Sequence, residues 1–417
     1  MGKRILLVGT VDTKSEEIKY LRDEIKKRGC IPIVMDVGVL GDPAFETDVS
    51  RREVGDASDT SFDVIATSSK SEHEAMVSMA EGASRLAAKL YREGKVDAAL
   101  AIGGTMATDL ALDVMASLPI GVPKLIVSSV AFSHVIPPDR ICADLMQILW
   151  AGGLWGINSI CKMVLDNAVG AICGATESSN AREGFQKPIV AVSSLGSSCC
   201  KYLFYLKPAL EERGYEVVVF HAVGMGGRAL ESLVSQGRIC AVLDLVAIEV
   251  SDHALGSVVS AGDSRMETAG MMGIPQIVAP GAIGGFDFAT WRIPDHVKDR
   301  SIHVHNRLIS VALNSHAEKA LIGKVLAEKL NKAVGPTAML IPLQGLEEWE
   351  RSGNELHDPE GIRVLAEAFK AHVKPHVKVM ELDMHINDKA FSDQVLALFD
   401  EMVFNPTCQK KINQIME

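Results

Sequence analysis

The sequence predicts an α/β protein of two tandem Rossmann-like domains, each a parallel sheet in a three-layer arrangement, facing across a cleft. Three observations predict it. Apolar strand-like runs alternate with amphipathic helix-like segments from the first residues onward. Glycines cluster where predicted strands turn into helices. The second half then repeats the first in outline.

The elements follow in order. Residues 4–8 are an apolar run, 14–28 a charged amphipathic helix and 31–36 a second apolar run, which together make a βαβ unit. A polar loop rich in Asp and Ser covers 41–62. A helix over 72–92 leads into a strand at 97–102, and a helix after Gly104 leads into a strand at 124–130. Residues 145–175 are apolar and read as a buried helix. The polar stretch 179–187 links a first domain, 1–180, to a second, 188–417, because Pro188 opens a fresh strand at 189–192.

In the first half, a strand ending Val8-Gly9-Thr10 leads to a helix, then Arg28-Gly29-Cys30, a strand and Asp36-Val37-Gly38. In the second, a strand ending Ser193-Ser194 leads to a helix through Lys207-Pro208, then Arg213-Gly214-Tyr215, a strand and His221-Ala222-Val223-Gly224. Further strands are expected at 241–245, 276–278, 338–342 and 377–381. Helices are expected at 228–236, 316–332, 361–372 and 392–402, the last able to pack back on the first domain.

Bulk properties narrow the function. A chain of 417 residues exceeds what one core serves, and 47% hydrophobic with 23% charged residues is ordinary for a packed protein. The net charge of -11 argues against a nucleic-acid or anionic-membrane partner, since either demands clustered Lys and Arg. Eight cysteines without a C-x-x-C pair fit reduced thiols in the cytoplasm. Residues 1–9 are too short for a signal peptide, and apolar stretches break well before the roughly 20 residues of a membrane helix.

The turns carry the candidate chemistry. Gly103-Gly104-Thr105 closes a strand and opens a helix, where free amides and the helix dipole favour an anion. Gly9, Thr10, Asp12, Thr13 and Lys14 occupy the turn after the first strand. Thr10 and Thr13 can bond phosphate oxygens, Lys14 can neutralise one, and Asp12 can hold Mg²⁺ or a ribose hydroxyl. The same stretch equally reads as a helix cap, with Asp12 or Thr13 closing a capping box on Glu16.

The second half offers Gly224, Gly226 and Gly227 before Arg228, a close-approach signal beside a side chain suited to bidentate phosphate or carboxylate binding. Ser197 and Ser198 add hydroxyls at the neighbouring strand end, and Cys199 at a helix start would have a lowered pKa. His221, Arg228, Asp252, His253 and His305 are candidates for acid–base and anchoring roles on a small phosphorylated or carboxylated metabolite in the cleft, which residues 281–286 would line as a flexible loop. His303 and His305 share one face of a strand; two such His can bind metal, but no third ligand is spaced to complete a site.

Five of these segments, taken in order, resemble one family: Gly9-Thr10-Val11-Asp12-Thr13-Lys14, Ile102-Gly103-Gly104-Thr105, residues 220–229, His303-Val304-His305-Asn306 and Gly335-Pro336-Thr337. That family is the ATP-binding one named after the N-terminal domain of the tomato mosaic virus resistance protein. The resemblance implies paired Rossmann-like subdomains, ATP with Mg²⁺ in the first, and a homodimer. It also implies that the TIM-barrel-like domain of plant members would here be a separate partner protein. Bacterial and archaeal members lack an assigned reaction. One departure is Ser197-Ser198-Cys199-Cys200, where members tend to carry a Thr-Thr-Pro-Cys-like segment.

Overall fold

In β1 (Arg4–Gly9), Ile5 and Leu7 point to one face while Leu6 and Val8 point to the other, and all four are buried. A strand apolar on both faces belongs inside a parallel sheet covered twice. The computed structural model, which describes residues 2–68, 71–182, 186–354 and 356–403, bears this out. The chain divides into two units, Met1–Glu183 and Gly184–Glu417.

In the first unit β1 is followed by α1 (Ser15–Lys27), β2 (Ile31–Asp36), α2 (Arg51–Asp56), α3 (Phe62–Ser68) and α4 (Glu72–Arg92). Then come β3 (Ala98–Gly103), α5 (Thr105–Ala116), β4 (Lys124–Ser128), β5 (Leu145–Leu149) and α6 (Ser159–Ser178). The five strands are parallel in the order β2-β1-β3-β4-β5. Ile18 and Leu21 of α1 and Leu165 and Val169 of α6 cover one face; Met79 and Ala83 of α4 and Leu110 and Val114 of α5 cover the other. Register aligns Gly9 with Asp36 and Gly103 with Ser128, so the strand ends that carry the predicted turns share one edge.

Two expectations need correction here. Residues 145–175 are not one buried helix: 145–149 add β5 to the sheet, and Asn158 then caps α6 by accepting from Ile160 N and Cys161 N. The loop over 41–62 contains α2, which begins with a capping box between Ser50 and Glu53.

The second unit contains β6 (Ile189–Ser194), α7 (Leu203–Glu212), β7 (Glu216–His221), α8 (Met225–Ser235), β8 (Ala241–Val246), α9 (Ile248–Leu255) and α10 (Thr268–Met271). It continues through β9 (Gln276–Gly281), β10 (Gly285–Ala289), β11 (Ile302–Val304), β12 (Ile309–Leu313), α11 (His316–Leu330), β13 (Thr337–Pro342), α12 (Pro359–His372), β14 (Val377–Leu382) and α13 (Lys389–Val403). Its sheet order, β7-β6-β8-β9-β13-β14, is that of the first unit with one strand added. The repeat read from sequence therefore extends to topology.

Between β9 and β13 the second unit inserts an antiparallel ribbon, β10-β12-β11, with its own small core of Phe286, Phe288, Val297 and Ala312. The segment 281–286 read as a flexible loop is instead buried throughout. The apolar face of α13, through Phe391, Val395 and Phe399, is taken up within the second unit against Leu206 and Leu210 of α7. Residues 404–417 lie outside the described residues.

Candidate functional site

In a parallel sheet of this order the chain leaves β1 toward one face and β3 toward the other, opening a crevice at their carboxyl ends. The first unit has a cavity of about 420 Å³ there. Thr10, Asp12, Thr13 and Lys14 line it from the turn after β1, and Gly104 and Thr105 line it from the turn after β3. The structure thus brings the two predicted turns together. Sequence reading missed the apolar wall, to which Val37, Met76, Met79 and Leu110 contribute; the Met76-x-x-Met79 spacing on α4 was the available signal.

Both helices that start at this cavity start without a side-chain cap. Lys14 precedes α1 and Gly104 precedes α5, and neither offers a side-chain acceptor to the first-turn amides. The capping-box reading of Asp12 or Thr13 with Glu16 is therefore not realised. Thr10 Oγ1 and Thr13 Oγ1 are instead 2.7 Å apart, and Lys14 N bonds Thr10 O at 2.8 Å to close the turn. Glu17 Oε1 accepts from Gly156 N at 3.0 Å and Glu16 Oε2 from Ile157 N at 3.4 Å, so these acids serve the 150–158 loop. Lys14 Nζ stands 5.8 Å from the centroid of the exposed Trp155 ring.

The glycines divide into two kinds. A Cβ on Gly9 would press on Ile18, and one on Gly103 would overlap Ala107, so both permit close strand–helix packing. Around Gly104 the nearest atom to such a Cβ is Ser129 Oγ at 3.8 Å, which leaves the space before α5 open. Asp12 Oδ2 accepts from Leu40 N at 2.9 Å and Gly41 N at 3.1 Å, while its Oδ1 is buried without a hydrogen bond. Asp36 Oδ1 ties the end of β2 to the turn by accepting from Val11 N and Gly38 N, and burial raises this carboxyl's pKa.

In the second unit the glycine-rich turn holds an anion supplied by the chain itself. Glu249 Oε1 accepts from Gly224 N at 2.5 Å and Gly227 N at 3.0 Å, and Glu249 Oε2 accepts from Arg265 Nε at 2.6 Å. Arg265, fully buried, also pairs with Asp244 and Glu231. Gly224 has φ 93°, a conformation that favours glycine, and a Cβ on Gly226 would overlap His221 O. Close approach was read correctly from these three glycines; the approaching group is internal. Arg228 Nη2 donates to Ser260 O at 2.6 Å, and His253 bonds Ser260 Oγ and Asp263 Oδ1, so both lie away from the cavity described next.

That cavity, of about 180 Å³, lies at the carboxyl ends of β6 and β8, the corresponding crevice of the second sheet. Ser197, Ser198, His221 and His305 line it, joined by Asp287 of β10 and by Glu347 and Trp349 after β13, which sequence reading did not single out. Neither Lys nor Arg lines it. Asp252 is fully buried behind Asp287, whose amide donates to Asp252 Oδ1 at 3.1 Å. Burial raises Asp287 to about 7 and Glu350 to about 7. It raises Glu347 to about 8, with the neighbouring Glu350 adding to the effect.

Cys199 is not an activated thiol. It is fully buried, four residues before α7 begins at Leu203, and its Sγ lies 3.4 Å from Leu346 O. Desolvation drives its pKa well up, so the expected lowering is reversed. His303 and His305 both approach Trp349, with ring centroids 5.3 Å and 5.9 Å away. Among the described residues no group of three or more His, Cys, Asp or Glu is placed to hold a metal ion, and no helix is long and apolar enough to cross a membrane.

Comparison with known proteins agrees along the whole described chain. Residues 3–181 match the N-terminal domain, and residues 187–403 the C-terminal domain, of an uncharacterised protein family, UPF0261. A UPF0261 protein of Brucella melitensis is 45% identical over 401 residues, 96% of each chain. One of Clostridium tetani is 34% identical over 394 residues, 94% of this chain and 97% of the relative. The ToMV susceptible protein tm-1 of Solanum lycopersicum is 29% identical over 423 residues, 96% of this chain and 56% of the relative. A crystal structure of UDP-N-acetylglucosamine 2-epimerase aligns over 96% of this chain and 97% of that one, at 10% identity and a TM-score of 0.23.

Proposed function

Since this chain belongs to the uncharacterised protein family UPF0261, whose name supplies no ligand, we propose from the geometry of the first unit that it binds a nucleotide, with ATP as the leading ligand. One observation carries the reading: α1 and α5 present uncapped N-termini to the same cavity. Each leaves first-turn amides without an intrahelical partner and a partial positive charge pointing at the space between the turns. A phosphate chain satisfies both at once.

The remaining parts have roles consistent with that ligand. Gly104 lets phosphate oxygens approach the amides before α5, and Lys14 neutralises one of them. The hydroxyls of Thr10, Thr13 and Thr105 donate to others. The apolar wall of Met76, Met79 and Leu110 suits a base. Magnesium would arrive with the phosphates, which with water supply most of its ligands; Asp12 has only Oδ1 uncommitted.

Calorimetry with Mg-ATP tests the proposal, and Gly104→Asp is the matched control, since its side chain enters open space and opposes a phosphate. Absence of binding heat, or equal binding by Gly104→Asp, overturns it. Reading the chain as a homodimer, and as working with a separate TIM-barrel-like protein, is likewise a proposal; light scattering after gel filtration tests the first.

A further inference from the structure

The cavity of the second unit is short of positive charge. Asp287 and Glu347 stand in its wall, 6% and 5% exposed, and the Asp287 carboxylate accepts no hydrogen bond among the described residues. Behind them Asp252 and Glu350 are fully buried, and Asp252 Oδ2 and Glu350 Oε1 have no partner either. Lys319, whose charge bears on Glu347 and Glu350, is already paired with Asp358 Oδ2 at 2.7 Å. The other titratable groups of the wall are His221 and His305.

The fold goes out of its way to keep these acids together. A Cβ at position 284 would overlap Glu350 Oε1, so the chain clears space for that carboxyl with Gly284. Ala282, another wall residue, is held at φ 57°, a left-handed conformation that is strained for alanine, by a bond from its amide to Leu346 O. Asn and Gln would line such a cavity for a neutral ligand at far smaller desolvation cost. A phosphorylated or carboxylated ligand would find neither Lys nor Arg. An inorganic cation lacks a group of three ligands among the described residues.

We propose that this cavity binds a small organic ammonium compound, a short aliphatic amine or amino alcohol, held by Asp287 and Glu347 with Trp349 as its aromatic wall. An ammonium supplies the charge both carboxyls lack, and an indole face attracts a cation. Its volume of about 180 Å³ equals that of about six water molecules in the liquid, which suits a short amine. The site is separate from the nucleotide cavity and does not depend on that reading.

Binding is coupled to protons. Near neutral pH Asp287, at about 7, is partly protonated and Glu347, at about 8, largely so, and an ammonium displaces those protons. Affinity therefore rises with pH, by about tenfold per unit for each proton released.

Calorimetry of the full chain with ethanolamine, 1,3-diaminopropane and 1,4-diaminobutane, each beside its diol isostere, tests this at pH 6.5 and 7.5. Proton release is followed with an indicator dye in weak phosphate. The expected result is binding of at least one amine, tighter by about tenfold at the higher pH, with proton release and no diol binding. Asp287→Asn and Glu347→Gln should each lose at least tenfold, and Gly104→Asp should change nothing. The proposal is overturned if no amine binds at 10 mM, if the diols bind as tightly, or if binding releases no proton. The diol and proton readouts use the unaltered chain, so they decide the matter even should a variant fold poorly.

Discussion

Glu249 and Gly227 meet so closely that one residue dictates the other: Glu249 Oε1 accepts the Gly227 amide at 3.0 Å, and any Cβ on Gly227 would overlap Glu249 Oε2 and lie 2.5 Å from Arg265 Nε. The contact is fully buried and charged, so neither partner has room to yield.

Gly227→Ala should therefore cost about 2–4 kcal/mol, the range of overpacking aggravated by disturbing a buried ion pair. Urea unfolding followed by far-UV circular dichroism measures it. A loss below about 0.5 kcal/mol, the ordinary surface level, would show that the Glu249–Arg265 pair moves freely.

Adjacent glycines in the first unit should behave oppositely. Gly103→Ala drives a methyl into Ala107 and should lower stability by about 1–3 kcal/mol. Gly104 has an extended backbone, φ -81° and ψ -159°, and empty space before it, so Gly104→Ala should shift the thermal midpoint little. Gly104→Asp should fold as well yet weaken Mg-ATP binding at least tenfold, about 1.4 kcal/mol.

Stability should fall as pH rises from about 5 to 8. Asp287, Glu347 and Glu350 have folded pKa values raised to about 7, 8 and 7, above those of the unfolded chain, so the folded state holds the extra protons. Their favourable contribution is complete below the usual carboxylate range and is lost as pH climbs through the folded values. Each group costs up to about 1.4 kcal/mol per pH unit within that window. Asp287→Asn and Glu347→Gln should flatten the profile and gain relative stability at pH 8, as thermal melts across pH would record.

Iodoacetamide should label Cys200, which is half-buried, before Cys199, which is fully buried with its thiol pKa pushed well up by desolvation. Peptide mass spectrometry with and without urea reads this directly. Labelling of Cys199 in the folded protein at the rate of Cys200 would contradict the burial.

Much of the scaffold was legible because its signals are local. The helix over 72–92 was placed to the residue by its 3.6-residue apolar period and charged ends, and the strand at 31–36 by its apolar run between Gly29 and Asp36. The errors arose where position is decided by distant partners. Residues 145–148 are half-buried, Leu149 is exposed, and the stretch is ambiguous in sequence; pairing with β4 makes it a strand. Glu347 and Glu350 carry no local sequence signal of burial; the β10 ribbon and Gly284 are what enclose them. Three glycines at 224–227 announce that something approaches the backbone, but whether it is a ligand or Glu249 depends on a side chain 22 residues further on.

A carboxylate tethered to the same chain is present at a constant and saturating effective concentration. The nest at Gly224 and Gly227 is thus filled whatever the surrounding solution contains, and its occupancy carries no information about the cell. The first turns of α1 and α5 carry no such side-chain anion, so under the proposed nucleotide reading their occupancy would follow the level of a dissolved ligand.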